Sequence, residues 1–98
     1  MLRIERTANG QVVFTLSGRI QTEEIEQVQQ LLIVESPGRP LVFDLAYVTL
    51  VNQDAVTFLA GCEANGVKIE GCPLYIRNWI DQEKRRSRRR RKQRTNTK

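Results

Sequence analysis

The stretch Leu41-Val42-Phe43-Asp44-Leu45-Ala46-Tyr47-Val48-Thr49-Leu50-Val51-Asn52-Gln53-Asp54-Ala55 decides the fold. Its first five residues form a nearly continuous apolar run, the pattern of an inner strand with neighbours on both sides. Asn52 then offers a helix N-cap, and Asp54 falls in the positive first turn. Ala55, Val56, Leu59, Ala60 and Cys62 supply a broad face to bury before Asn65-Gly66 closes the helix. An inner strand that feeds a helix is half of a crossover unit, so the flanking sequence should complete an α/β sheet.

Upstream, Leu2 and Ile4 alternate with Arg3 and Glu5, Asn9-Gly10 supplies positive φ for a tight turn, and Gln11-Val12-Val13-Phe14-Thr15-Leu16 follows as the second arm of a hairpin. Ser17-Gly18 is expected to end that strand. Thr22 is expected as the N-cap of a first helix, with Glu23 and Glu24 in its first turn and Ile25, Val28, Leu31 and Leu32 on its apolar face. It should end near Val34, because Ser36-Pro37-Gly38-Arg39-Pro40 cannot continue a helix. Downstream, Val67-Lys68-Ile69-Glu70 alternates as an edge strand. Gly71-Cys72-Pro73 then opens a third helix with Ile76, Trp79 and Ile80 as its stripe.

The element order is therefore β-β-α-β-α-β-α. Right-handed crossovers that step in one direction place both crossover helices on one side of the sheet. The expected architecture is a single α/β domain with a four-stranded mixed sheet in the order 1-2-3-4, the first strand antiparallel and the helices mainly on one face. Strand parity assigns Leu2, Ile4, Val12, Phe14, Leu16, Leu41, Phe43, Leu45, Val67 and Ile69 to the covered face. Val13, Thr15, Val42 and Asp44 fall on an open far face.

Composition narrows the chemistry. The chain has 98 residues, enough for one small core. It has no His, which removes the commonest general base, the serine triad, the Cys/His dyad and His-containing zinc sites. Cys62 and Cys72 are not spaced as a redox or metal pair and read as buried thiols of a reducing compartment. Met1-Leu2-Arg3-Ile4-Glu5-Arg6 is charged where a signal peptide is apolar, and no stretch approaches the length of a membrane span, so a soluble cytoplasmic protein is expected. Ser17, Ser36 and Ser87 lie in turn or tail contexts without a base, and no cofactor or metal is implied.

Charge is divided along the chain. Residues 1–83 carry six basic against all eleven acidic side chains, a net −5, whereas 84–98 carry ten Lys or Arg and no acid. The expected domain spans 1–83, followed by a polybasic C-terminal tail at 84–98, disordered beyond a short helical extension. Lys84, Arg85, Arg86, Arg88, Arg89, Arg90, Arg91, Lys92 and Arg94 are its candidate polyanion-binding residues. Such a run attracts phosphates or anionic headgroups and, with no aromatic residue to stack bases, should do so without sequence specificity. It equally fits a solubilising extension or a segment that folds back on the acidic body.

The run Leu16-Ser17-Gly18-Arg19-Ile20 before a helix, then Leu41-Val42-Phe43-Asp44-Leu45 with Tyr47-Val48-Thr49-Leu50-Val51 entering a helix that ends before Gly66-Val67-Lys68-Ile69, resembles the STAS domain. That is the fold of bacterial anti-sigma factor antagonists and of sulfate-transporter C-terminal domains. The resemblance implies a non-enzymatic module that docks a protein partner, such as an anti-sigma factor kinase or a transporter component. Docking would centre on the loop and helix start after the third strand, here Asn52, Gln53, Asp54 and Ala55. Phosphoregulated members read Asp-Ser-Ser-Gly there and accept phosphate on the second Ser. This chain has Asp54 at that position, and Gln21 where those members usually have an Asp.

Asp54 carries two readings. A carboxylate at a helix start mimics part of the charge of a phosphoserine, and it also serves as ordinary first-turn chemistry worth about 0.3–1 kcal/mol. Three further features have plain structural readings. Ser36-Pro37-Gly38-Arg39-Pro40 lacks the glycines and Lys of a phosphate loop and reads as a turn. Tyr75 and Trp79, four apart, read as a half-buried pair that closes the core. Asp44 beside Arg19 or Arg39 would be a surface ion pair of little worth. The leading expectation is a STAS-like regulatory or adaptor module. Its alternative is a basic accessory protein whose tail binds nucleic acid or anionic membrane.

Overall fold

The structure is a computed structural model that describes residues 2–34 and 40–96, with side chains described as far as Arg86. The elements are β1 (Leu2–Asn9), β2 (Gln11–Ile20), α1 (Thr22–Val34), β3 (Leu41–Val51), α2 (Gln53–Ala64), β4 (Lys68–Glu70) and α3 (Leu74–Asn96). They form one four-stranded sheet in the order β1-β2-β3-β4. β1 is antiparallel to β2, while β2, β3 and β4 run parallel. Fold class, strand order and strand directions are those expected from the sequence. The Ser36–Pro40 turn reading falls on 35–39, outside the described residues, apart from Pro40.

All ten residues that parity assigned to the covered face belong to, or pack on, the single core cluster. Val28 of α1, Ala55, Val56 and Leu59 of α2, and Ile76 and Ile80 of α3 close that core, each fully buried. The three helices therefore share one face of the sheet, as right-handed crossovers in one direction require. Phe14 and Phe43 meet edge-on across the β2–β3 pair with centroids 6.2 Å apart, a favourable aromatic geometry. Val42 departs from expectation. It lies on the far face yet is only 1% exposed, because its cross-strand neighbours Val13 and Lys68 flank it on both sides.

Two further departures arise where β2 meets β3. β2 does not end at Ser17-Gly18 but continues to Ile20, and its register against β3 shifts between Thr15 and Ser17 and again between Gly18 and Arg19. Each shift gives β3 one extra residue, the signature of a bulge. As a result the β3 residues that enter the core run Phe43, Leu45, Val48, Val51, and the simple alternation is lost after Leu45. The first bulge is braced by Asp44, whose Oδ1 accepts from the Ala46 N–H at 3.0 Å; Arg39, one of its two expected ion-pair partners, lies outside the described residues. At the second, Gly18 takes φ +104° and its carbonyl accepts from Thr49 Oγ1. In the hairpin turn Gly10 alone supplies positive φ, Asn9 keeping negative φ.

Gly71 sits against the same bulge at φ +66°, and a Cβ there would lie 2.6 Å from Asp44 Oδ1 and 3.2 Å from the Ala46 Cβ. Gly66 has φ +102° but open space around it. Gly66→Ala should cost the backbone strain alone, about 1–2 kcal/mol. Gly71→Ala should cost that plus the displaced Asp44 hydrogen bond, about 2–4 kcal/mol in total. Urea unfolding of both variants checks the difference, and equal losses would show that the Asp44 brace contributes nothing.

Candidate functional site

Parallel strands that each feed a helix put all three helix starts at one edge of the sheet. β2 ends at Ile20 before Thr22, β3 at Val51 before Gln53, and β4 at Glu70 before Leu74. In open α/β sheets this carboxyl edge is where ligands and partners are met, because helix N-termini and loops converge there.

Asn52 caps α2 as expected. Its backbone is extended, and its Oδ1 accepts from the Ala55 N–H at 3.0 Å. Thr22 is not the N-cap of α1. Gln21 occupies that position: its carbonyl accepts from the N–H groups of Glu24 and Ile25, and its own N–H donates to Glu24 Oε1 at 2.9 Å. This is the glutamate half of a capping box, and it leaves the Thr22 hydroxyl free for other work. That hydroxyl donates to Asp54 Oδ2 at 2.7 Å and accepts from Asn52 Nδ2 at 3.1 Å. A single threonine thus ties the start of α1 to the cap and first turn of α2.

The arrangement brings four of the five expected partner residues to one place. Asn52 is half-buried, Gln53 and Asp54 are exposed, and Gln21 stands one residue before the Thr22 knot. Ala55 is fully buried and serves the core, with only its N–H committed to the cap. Because Asn52 carries the capping bond, Asp54 is not needed to satisfy the helix end. Its carboxylate is held at the surface by a side chain from another helix.

Sequence reasoning missed Thr22, whose hydroxyl was expected to cap its own helix. It also missed the apolar flank of this edge. Tyr47 is 65% exposed, Leu50 42%, Leu74 74% and Tyr75 52%. Tyr75 Oη donates to the Thr49 carbonyl at 3.1 Å, which ties the start of α3 to the end of β3. Of the expected Tyr75–Trp79 pair, only Trp79 packs on the core. The two bulges are what turn Tyr47 and Leu50 outward, and alternation alone gives no sign of them.

A charged clamp fixes α3 against α2. Arg77 donates to Glu63 through both Nη atoms, at 3.0 and 2.6 Å, and to Asp81 at 2.7 Å, while Lys84 Nζ reaches Glu63 at 3.0 Å. The Arg77 hydrogen bond, aided by Lys84, holds the Glu63 carboxyl below its ordinary value despite partial burial. Glu63 and Asp81 in turn raise the Arg77 guanidinium, the Glu63 bond contributing most. Glu83, only 5% exposed, accepts from Gln53 Nε2 at 3.0 Å and pairs with Arg86 at 3.6 Å, so the first turn of α2 also leans on α3.

Among the described residues no cluster of three or more His, Cys, Asp or Glu converges as a metal site would. Burial pushes the Cys62 thiol up to about 12, and burial likewise raises Cys72, so neither is primed as a nucleophile. A groove of about 700 Å³ opens between the later turns of α1 and α2, lined by residues such as Leu32, Ile33, Phe58 and Val67, and it shares no residue with the Thr22 knot. No described helix is long and apolar enough to cross a membrane. Of the polyanion candidates, Lys84 and Arg86 are engaged with Glu63 and Glu83. Arg85 lies exposed between them, and the others follow on the next turns of α3, whose backbone continues to Asn96.

No protein-family model matches the sequence, and no curated protein matches it. A similar solved structure is that of an uncharacterized protein of the DUF3478 family from Shewanella loihica PV-4, described as having a SpoIIAA-like fold. The two are 19% identical, with a TM-score of 0.45, and the likeness covers 71% of this chain and 61% of that one. The fold class stands on the strand order, strand directions and single-sided helices of this chain.

Two measurements follow from the site. Asn52→Ala removes the α2 cap and one arm of the knot, and should lower the unfolding free energy by about 0.5–2 kcal/mol in urea titration. Glu63 titrates below its unfolded counterpart, so its stabilisation is complete above about pH 4.3 and is lost as the pH falls through the folded value. Glu63→Gln should be less stable than the parent at pH 7, and the gap should narrow steadily below about pH 4. A gap independent of pH would show that the clamp is not electrostatic.

Proposed function

We propose that this chain is a non-enzymatic, STAS-like regulatory or adaptor module that docks a protein partner through the carboxyl edge of its sheet. The observation that carries this reading is the knot at that edge. Asp54 is exposed, is held at 2.7 Å by Thr22 from a second helix, and is relieved of capping duty by Asn52. A charge pinned at a defined place on a rigid scaffold is a recognition element, because its ordering cost is already met before a partner arrives. Exposed Tyr47, Leu50 and Tyr75 at the same edge supply the aromatic and apolar anchors that dominate protein interfaces.

The STAS resemblance places its partner contacts at the helix start that Asn52 and Asp54 occupy here. With Asp54 in the phosphoacceptor position, the edge would present one permanent negative charge in place of a switchable phosphate. We take the partner to be a protein that recognises an anionic helix tip beside an apolar rim, of the kind represented by anti-sigma factor kinases or transporter components.

Affinity capture with the full chain as bait tests this. Asp54→Ala should lose the specifically captured protein at least tenfold while its unfolding free energy falls by no more than about 1–2 kcal/mol, the worth of its first-turn charge and its Thr22 hydrogen bond. Undiminished capture would overturn the assignment of the edge, and a large fall in melting temperature with capture intact would reduce Asp54 to a structural residue.

A further inference from the structure

We infer that the basic end of α3 is a second, independent binding element, one that seats in the major groove of duplex DNA through its phosphates. Beyond Ile80 the chain contains no apolar residue, and beyond Glu83 it contains no acid. Lys84 and Arg86 are the last basic residues with described acidic partners, Glu63 and Glu83. For Arg88, Arg89, Arg90, Arg91, Lys92 and Arg94 no acid stands within four residues in the sequence. Helical neighbours three and four apart are instead like charges, as in 88 and 92 or 90 and 94, and each such pair costs helix stability until an anion neutralises it.

The geometry of that charge selects the anion. The backbone is helical through Asn96, so these six positions span six rises of about 1.5 Å, or about one positive charge per 1.5 Å of axis. Duplex DNA carries one negative charge per about 1.7 Å of its own axis. At about 100° per residue the positions fall on all sides of the helix, with no apolar stripe. A bilayer surface meets a helix on one side, so only part of this charge would face anionic headgroups, and the segment has no apolar face to add to that attraction. A major groove about 12 Å wide admits a helix and presents phosphates along both walls. Arg, which outnumbers Lys five to one among the six, forms the bidentate phosphate contacts such walls invite. Single strands would call for aromatic stacking, and no aromatic residue follows Trp79.

Fluorescence anisotropy of the full chain with a 20-base-pair DNA duplex tests this, alongside an RNA duplex, single-stranded DNA and phosphatidylserine vesicles. DNA duplex binding should weaken about a thousandfold between 50 and 200 mM salt, with a log–log slope of about −5 for six neutralised phosphates. Replacing Arg88, Arg89, Arg90, Arg91, Lys92 and Arg94 with Gln should abolish most of that slope while the Trp79 emission of the folded domain stays unchanged. Asp54→Ala should leave duplex binding intact, so failure here and failure of the docking edge are told apart. Tighter binding to the RNA duplex, the single strand or the vesicles would overturn the proposal. So would duplex binding that survives the six substitutions, or no binding at 50 mM salt.

Discussion

The parallel pairing of β2 with β3 is the constraint from which the rest of the molecule follows. Parallel strands cannot be joined by a tight turn, so the chain must cross over through α1, and again through α2 to reach β4. Right-handedness then puts both crossover helices, and α3 after them, on one face, where they bury the inward residues of all four strands. The same pairing forces every helix to start at one edge. The edge proposed for docking is thus a consequence of connectivity, and its chemistry is whatever side chains occupy the three helix starts.

At that edge the local interactions divide the labour. Asn52 satisfies the orphan N–H at the α2 start and Glu24 that at the α1 start, which frees Thr22 to bridge the two helices and leaves Asp54 at the surface. The clamp of Glu63, Arg77 and Lys84 holds α3 on α2 from the other side, and Glu83 carries that support to Gln53. Hydrogen bonds to charged groups in half-buried surroundings are stronger than exposed ion pairs, so these contacts fix positions that a solvated pair such as Arg3–Glu5 would not.

Much of this was legible in the residues, for identifiable reasons. The Leu41 strand start, the Asn52 cap, the Asn65-Gly66 stop and the Pro73 start are local signals with local causes, and each lies within a residue of where the structure has it, whereas β3 runs six residues past Leu45 to Val51. The sheet order followed from handedness. What escaped depends on long-range packing. The two β3 bulges are set by Asp44, Gly18 and Gly71, which lie far apart in sequence, and they alone turn Tyr47 and Leu50 to solvent. Thr22 looked like a cap because Thr before two glutamates is a good local cap. Only the approach of α2, thirty residues on, recruits its hydroxyl elsewhere. The backbone bond from Ala46 to Asp44 was likewise hidden, because it matters only within a bulge.

The division of charge gives the chain two faces of opposite sign, an acidic body with a pinned carboxylate at its edge and a basic helix that leaves it past Glu83. The central claim is that the edge is the docking face. Hydrogen exchange resolved to single amides, comparing the free chain with its complex with the captured partner, tests that claim most directly. The account predicts slowed exchange at residues 21–22, 47–55 and 74–75, with the groove between α1 and α2 unchanged. Protection confined to that groove, to the β1 edge or to the basic end of α3 would contradict it.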